Sequence, residues 1–288
     1  MALSIRPLPG PLGAEIHGLD PRHLGEDDRA TLRAAFVEHG ALLARNLDLS
    51  PEEHIALTRV LGEPAIHPIP TIRMQGHPEI IVLAVDLRSS LAPDDPSADE
   101  VIGQIPWHSD LTYTATPSRG ALLLAREVPP ELGETGYIDT AAVYDALPDR
   151  LRTQIDGLHA VHSLGQIQGQ IRHAGEANEE TEGGSAPQFE QVVHPLVSVH
   201  PETGRKVLNI SPAFTKAIEG LSAQEGDALL QELKDFATQD RFAYYHHWAV
   251  GDLFIWDNWR TMHTATGHRK RHARRMHRTT LAPTANLH

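Results

Sequence analysis

The chain contains no cysteine, and that one absence excludes disulfides, thiolate nucleophiles, iron–sulfur clusters and cysteine-ligated zinc together. Any bound metal must sit on nitrogen and oxygen donors. Cationic residues are in deficit: 25 Lys plus Arg against 38 Asp plus Glu give a net charge of −13, which opposes association with nucleic acid or an anionic membrane surface. No apolar run approaches the roughly 20 residues of a membrane span, and Met1 to Gly10 lacks the charged head and apolar stretch of a secretory signal. The expectation is a soluble, cytoplasmic protein with neither nucleic acid nor membrane as partner. A glycine-rich phosphate loop is also missing, which removes the usual support for a nucleotide-binding fold. Histidine, by contrast, is abundant at 19 residues. Several of these, such as His268, His272 and His277, fall in basic, surface-like stretches, so abundance alone identifies no ligand.

At 288 residues the chain has the length of one large domain or two small ones. No internal repeat or composition break divides it, so residues 1–288 are read as a single domain. Helix signals are clearest where caps and apolar spacing agree. Ser50 and Glu53 form a capping box, with Pro51 at the first helical position, ahead of Ile55, Leu57, Val60 and Leu61. Ser222 and Glu225 form a second box before Leu229, Leu230, Leu233 and Phe236. A further helix is expected after Asp139-Thr140, through Val143, Leu147, Leu151 and Ile155. Strand signals are short and bounded by turn residues: Ala41 to Ala44, Ile80 to Ala84, Ala121 to Ala125, Val192 to Val199, Val207 to Ile210, Phe242 to Trp248 and Leu253 to Trp256. The last two flank Val250-Gly251-Asp252 and read as a hairpin. Many short strands with a few outer helices indicate a mainly β sandwich or jelly roll with flanking helices. Two polar segments, 87–102 and 166–191, are expected to be loosely structured lids.

One pair of residues carries chemistry. In Pro106-Trp107-His108-Ser109-Asp110 an imidazole and a carboxylate stand two positions apart, and an extended backbone would turn both to one face. Two histidines and a carboxylate on one face of an octahedron leave three positions open, the arrangement a non-haem iron(II) oxygenase uses. The pair alone is a weak signal. It gains weight from a C-terminal stretch, Gly251-Asp252-Leu253-Phe254-Ile255-Trp256-Asp257-Asn258, followed by His263 and then Arg274-Arg275-Met276-His277-Arg278.

With these blocks the chain resembles the taurine dioxygenase and 2,4-dichlorophenoxyacetate dioxygenase (TauD/TfdA) family of iron(II)- and 2-oxoglutarate-dependent oxygenases. Gly10 to Ile16, Leu61-Gly62-Glu63 and Gly133-Glu134-Thr135 extend the likeness over nearly the whole chain. The resemblance implies a double-stranded β-helix core, a jelly roll of the cupin-like kind. It implies Fe(II) held by His108, Asp110 and His263, with 2-oxoglutarate and O2 as co-substrates. Arg274, eleven residues after His263, matches the arginine that binds the distal carboxylate of 2-oxoglutarate, and Thr135 matches the threonine that assists it. A planar guanidinium suits this task because it clamps a carboxylate through two parallel charge-assisted hydrogen bonds.

The implied reaction couples decarboxylation of 2-oxoglutarate, giving succinate and CO2, to hydroxylation of a substrate C–H bond. Asp110 favours hydroxylation over halogenation, since related halogenases replace this carboxylate by a small residue. Arg278 matches the position that holds the anionic head of the substrate, which implies a small organic anion: an aryloxyalkanoate, alkyl sulfate, sulfonate or other carboxylate. His67 matches a substrate-contacting histidine of the taurine enzyme. Pro70 and Gln104 depart from that enzyme's pattern, Gln104 standing where it has a substrate-side asparagine, and this puts taurine itself in doubt. The Trp-His-Ser-Asp wording and the Arg278-Thr279-Thr280-Leu281 ending lean toward the phenoxyacetate branch. By family analogy the assembly is a homodimer or homotetramer. Two other readings compete: a zinc hydrolase using the same three ligands, and a non-catalytic protein binding a small anion on the same scaffold.

Overall fold

A computed structural model of the chain describes residues 3–67, 70–92, 94–164 and 190–283. Strand alternation builds the architecture. In Leu253–Asp257, Leu253 and Ile255 point to one side and Phe254 and Trp256 to the other, and all four are buried. A strand buried on both faces must be covered twice. It lies inside a nine-stranded sheet whose path is Ser4–Pro7, Ala14–His17, Ala41–Ala44, Leu253–Asp257, Gly120–Glu127, Arg274–Leu281, His77–Val85 and Arg73–Met74, with Pro64–Ala65 paired to the end of Arg274–Leu281.

On the outer face of this sheet, Leu122, Leu124, Leu253 and Ile255 pack with Leu32 and Phe36 of the helix Glu26–His39 and with Leu57 and Val60 of the helix Pro51–Leu61. On the inner face, Leu43, Leu123, Ala125, Phe254, Trp256 and Met276 enclose Tyr137, which comes from a second sheet of four strands. That sheet runs Ala243–His246, Thr135–Asp139, Thr261–Ala265, Ile105–His108. Its far side, through Ile138 and Met262, packs on Val143, Leu147, Leu151, Ile155 and the helix Ala223–Ala237. Two sheets with their apolar faces together and helices outside both form the mainly β, jelly-roll fold expected. Among the described residues no helix is long and apolar enough to cross a membrane.

Three local expectations need correction. The region after Asp139 holds two helices, Thr140–Ala146 and Asp149–Ile155, because Pro148 interrupts the ladder although the apolar spacing continues across it. Val192 to Val199 divides into Val192–Pro195 and Val197–Val199, which pair with different strands. The strands flanking Val250-Gly251-Asp252 are not a hairpin: Ala243–His246 pairs with Thr135–Asp139 in the small sheet, while Leu253–Asp257 pairs in the large one. This turn carries the chain between sheets.

Of the two polar segments, 87–102 contains the 3-10 turns Arg88–Ser90 and Pro96–Asp99 and the strand Val101–Ile102, which pairs with His268–Arg269. The other, 166–191, lies outside the described residues except for its last two.

Candidate active site

The strand Ile105–His108 runs antiparallel to Thr261–Ala265 with His108 opposite His263, and their rings meet at 4.1 Å between centroids. The strand ends at His108, so Asp110 reaches the same place through the following turn and not by continued alternation along an extended segment. Asn258 makes this turn. Its Oδ1 accepts from Asp110 N (2.7 Å), and its Nδ2 donates to Asp110 O (2.9 Å) and Ser118 O (3.0 Å). Leu111, next in the chain, has φ of 56°, a region costly for a branched side chain. The Asn258 clamp helps hold the turn in that conformation.

One ligand-capable atom each from His108, Asp110 and His263 lies within 4.8 Å of the others. His108 Nδ1 donates to Pro106 O (2.8 Å), which leaves the Nε2 lone pair facing the cluster. His108 Nε2 lies 3.8 Å from Asp110 Oδ1, and His263 Nε2 lies 3.6 Å from Asp110 Oδ2. Burial pushes the pKa of both imidazoles down, His263 furthest, so both are neutral with lone pairs available. Burial alone would raise the Asp110 carboxyl, but Arg278, then His263 and His108, outweigh it and hold the group below its ordinary range. Two neutral imidazoles and one ionised carboxylate suit a divalent iron ion without prior loss of a proton.

Arg274 and Arg278 enter from the opposite sheet. Both lie on Arg274–Leu281 at the same parity as Met276, whose side chain faces the space between the sheets. Arg274 borders a cavity of about 60 Å³ lined also by Leu83, Ile105, Ala265 and His268. Burial pushes its guanidinium pKa down to about 10, and among the described residues no carboxylate pairs with it. Its recorded side-chain partner is Thr135 Oγ1, at 3.5 Å. A desolvated cation beside a hydroxyl is an environment made for an arriving carboxylate.

Arg278 is engaged otherwise. Its Nη1 and Nη2 donate to Asp110 Oδ1 (3.1 Å) and Oδ2 (2.5 Å), while its buried Nε has no partner among the described residues. The expected anion-binding arginine thus also carries the carboxylate of the cluster, with the Nε edge left over. Trp256 lies 4.9 Å from the His263 ring and 5.2 Å beneath the Arg278 guanidinium, so it is both core and site wall. Phe214 sits edge-on to His108 at 5.6 Å and to Tyr113 at 4.9 Å, placing aromatic surface beside the cluster. His67 lies in the loop after Pro64–Ala65, where its carbonyl accepts from Arg73 Nε (2.7 Å). Gln104 is exposed between Val101–Ile102 and Ile105–His108, against Gly267. Contact of either with substrate rests on the resemblance alone.

Sequence reasoning gave no role to Asn258, Trp248, Tyr113 or Phe214. Asn258 stood inside a quoted motif, but its partners lie 140 and 148 positions away. Asn258→Ala is expected to weaken metal affinity by roughly 10- to 100-fold, the usual effect of losing a group that orients a ligand. Chelator competition with the purified protein measures it, and unchanged affinity would remove Asn258 from the site.

Residues 4–280 match the family model described as Taurine catabolism dioxygenase TauD, TfdA family. The chain is 35% identical over 268 residues to an (S)-phenoxypropionate/alpha-ketoglutarate-dioxygenase of Sphingobium herbicidovorans, covering 92% of this chain and 90% of that one. It is 33% identical over 271 residues to the alpha-ketoglutarate-dependent 2,4-dichlorophenoxyacetate dioxygenase of Cupriavidus pinatubonensis, covering 91% and 92%. A solved taurine dioxygenase from Burkholderia xenovorans superposes with a TM-score of 0.79 at 31% identity, over 99% of this chain and 90% of that one.

Proposed function

This chain belongs to the TauD, TfdA family and is a 2-oxoglutarate-dependent dioxygenase, and from that premise we propose that it hydroxylates an aryloxyalkanoate or a similarly built small organic anion. The balanced reaction consumes substrate, 2-oxoglutarate and O2 and yields hydroxylated substrate, succinate and CO2. In an aryloxyalkanoate the carbon beside the ether oxygen is the natural target, and its hydroxylated form collapses to a phenol and a carbonyl acid. The observation that carries the co-substrate site is the half-buried Arg274 guanidinium, lacking a carboxylate among the described residues and standing beside Thr135, and the substrate class is supported by the relatives named for phenoxypropionate and 2,4-dichlorophenoxyacetate. A zinc hydrolase would leave both Arg274 and Thr135 without a task.

The bound iron supplies the activation of O2; the chain supplies position and dryness. His108, Asp110 and His263 are proposed as its ligands. Arg274 and Thr135 are proposed to hold the distal carboxylate of 2-oxoglutarate, which sets the reach of its 2-oxo acid end toward the cluster. Arg278, through its free Nε edge, is proposed to take the substrate's anionic head, with Phe214, Tyr113 and Trp256 against its apolar body and His67 and Gln104 as outer contacts. Like these roles, a cytoplasmic location and a homodimeric or homotetrameric assembly are proposals, the first in keeping with a chain without cysteine and the second resting on family analogy.

The test is oxygen-dependent succinate release with iron(II), screened against 2-phenoxypropionate, 2,4-dichlorophenoxyacetate, alkyl sulfates, sulfonates and simple carboxylates. Aryloxyalkanoates are expected to stimulate it most. Equal stimulation by every class would overturn the substrate reading, and no succinate under any condition would overturn the reaction assigned here.

A further inference from the structure

The hydroxyl of Thr135 is surrounded in an informative way. Thr135 is buried, 4% exposed, and its Oγ1 accepts from the indole Nε1 of Trp248 at 3.0 Å and faces Arg274 Nη2 at 3.5 Å. An indole N–H and a guanidinium are donors only. With both neighbours donating, the oxygen's lone pairs are turned toward them and its own proton must point elsewhere. Among the described residues it meets no acceptor.

Trp248 is itself firmly seated. It stands at the start of the crossover between the two sheets, with its ring edge-on to His246 at 4.5 Å. His246 Nε2 bonds Asp252 Oδ2 (3.0 Å), and that carboxylate oxygen also accepts from Ala249 N and Arg45 Nη1, each at 3.0 Å. Gly251 closes the turn at φ of 84°, where an added Cβ would lie 3.0 Å from Leu47 O. Its N–H bonds Ala125 O, while its carbonyl accepts from Leu47 N. The indole therefore comes from a turn bonded to the large sheet and reaches a hydroxyl on the small one.

We propose that Trp248 is a positioning residue for the co-substrate: its N–H fixes the Thr135 hydroxyl so that the hydroxyl proton is presented to the distal carboxylate of 2-oxoglutarate. The inference rests on the assignment of Arg274 and Thr135 made above. A hydroxyl free to rotate would present a lone pair to the incoming anion for part of the time, whereas one held by two donors presents only its proton. The pocket is thereby set for an acceptor-only ionised carboxylate and against a methyl or an ester at that end of a 2-oxo acid.

The experiment compares wild type, Trp248→Phe, Thr135→Val and the double variant, each reconstituted with manganese(II). Titration calorimetry measures the affinity for 2-oxoglutarate and for 2-oxopentanoate, which has a methyl group in place of the distal carboxylate. Trp248→Phe is expected to weaken 2-oxoglutarate about tenfold, the scale of one hydrogen bond to a charged group, and to leave 2-oxopentanoate unchanged. The double variant should be no worse than Thr135→Val, since both changes remove the same proton delivery. Equal losses for the two acids, additive losses, or no loss would each overturn the proposal. Should Trp248→Phe fail to fold, Thr135→Val decides: the Trp248 indole N–H resonance in 15N-tryptophan-labelled protein must shift and the preference for the dicarboxylate must fall. Wild-type protein that fails to bind 2-oxoglutarate would refute the parent assignment, whereas normal wild-type binding with an unaffected Trp248→Phe refutes this inference alone.

Discussion

Asp110→Ala is expected to abolish turnover of 2-oxoglutarate, with succinate release falling by about three orders of magnitude or more, because the substitution removes both a proposed metal ligand and the only anion of the three-residue cluster. The electrostatic effect goes beyond one lost bond. Arg278 donates twice to Asp110, so the alanine variant leaves a part-buried guanidinium facing two imidazoles. The cluster then carries a net positive charge and repels a divalent cation. Breaking a buried ion pair from one side costs roughly 3–5 kcal/mol, so the variant should also melt at a lower temperature. Asp110→Asn separates the effects, retaining shape and one of the two acceptors for Arg278 while losing the charge. Metal content after dialysis, measured beside succinate release, checks the result. Full metal loading with normal turnover in Asp110→Ala would remove this residue from the centre.

The second large effect belongs to Arg274. Arg274→Ala is expected to raise the 2-oxoglutarate requirement by two to three orders of magnitude, corresponding to about 3–4 kcal/mol for a bidentate charge-assisted contact. Even with its pKa pushed down to about 10, the guanidinium stays charged at neutral pH, so co-substrate affinity should be flat between about pH 7 and pH 9. The stability prediction has the opposite sign. A desolvated cation that meets no carboxylate among the described residues costs the unliganded fold, so Arg274→Met, which retains volume without charge, should melt higher while binding 2-oxoglutarate far more weakly. Thermal denaturation with and without 2-oxoglutarate reads both signs in one experiment: the ligand should raise the melting temperature of the wild type and leave Arg274→Met nearly unmoved. An unchanged co-substrate requirement in Arg274→Ala would refute the role given to this residue.

Much of this was legible in one dimension because the signals are local. The boxes at Ser50 and Ser222 cap the helices Pro51–Leu61 and Ala223–Ala237 through side-chain bonds spanning three residues. The unbroken apolar run from Leu253 to Trp256 is the mark of a strand covered on both faces. The spacing of Arg274 and Arg278 survives because both lie on one strand, where a fixed rise turns a residue count into a distance, whereas His263 comes from a strand of the other sheet. The readings that failed were those in which a local signal had to choose between distant partners. Turn residues at Val250-Gly251-Asp252 announce a reversal, but a hairpin and a crossover between sheets begin alike. The spacing of Val143, Leu147 and Leu151 remains apolar across Pro148 because two short helices face the same core.

Residue order and side-chain chemistry by themselves determined the class of donor, the exclusion of thiolate chemistry and the mainly β architecture, while the ligand set to be tested came from the family resemblance. Only the tertiary structure decided that Asp110 reaches the cluster through a turn clamped by Asn258, that Arg278 is already paired with it, and that Trp248 meets Thr135 across 113 positions. Local preference follows from φ, ψ and the next few neighbours, and so can be read along the chain. Which donor meets which lone pair depends on how two sheets settle face to face, and that is settled by burial summed over the whole core.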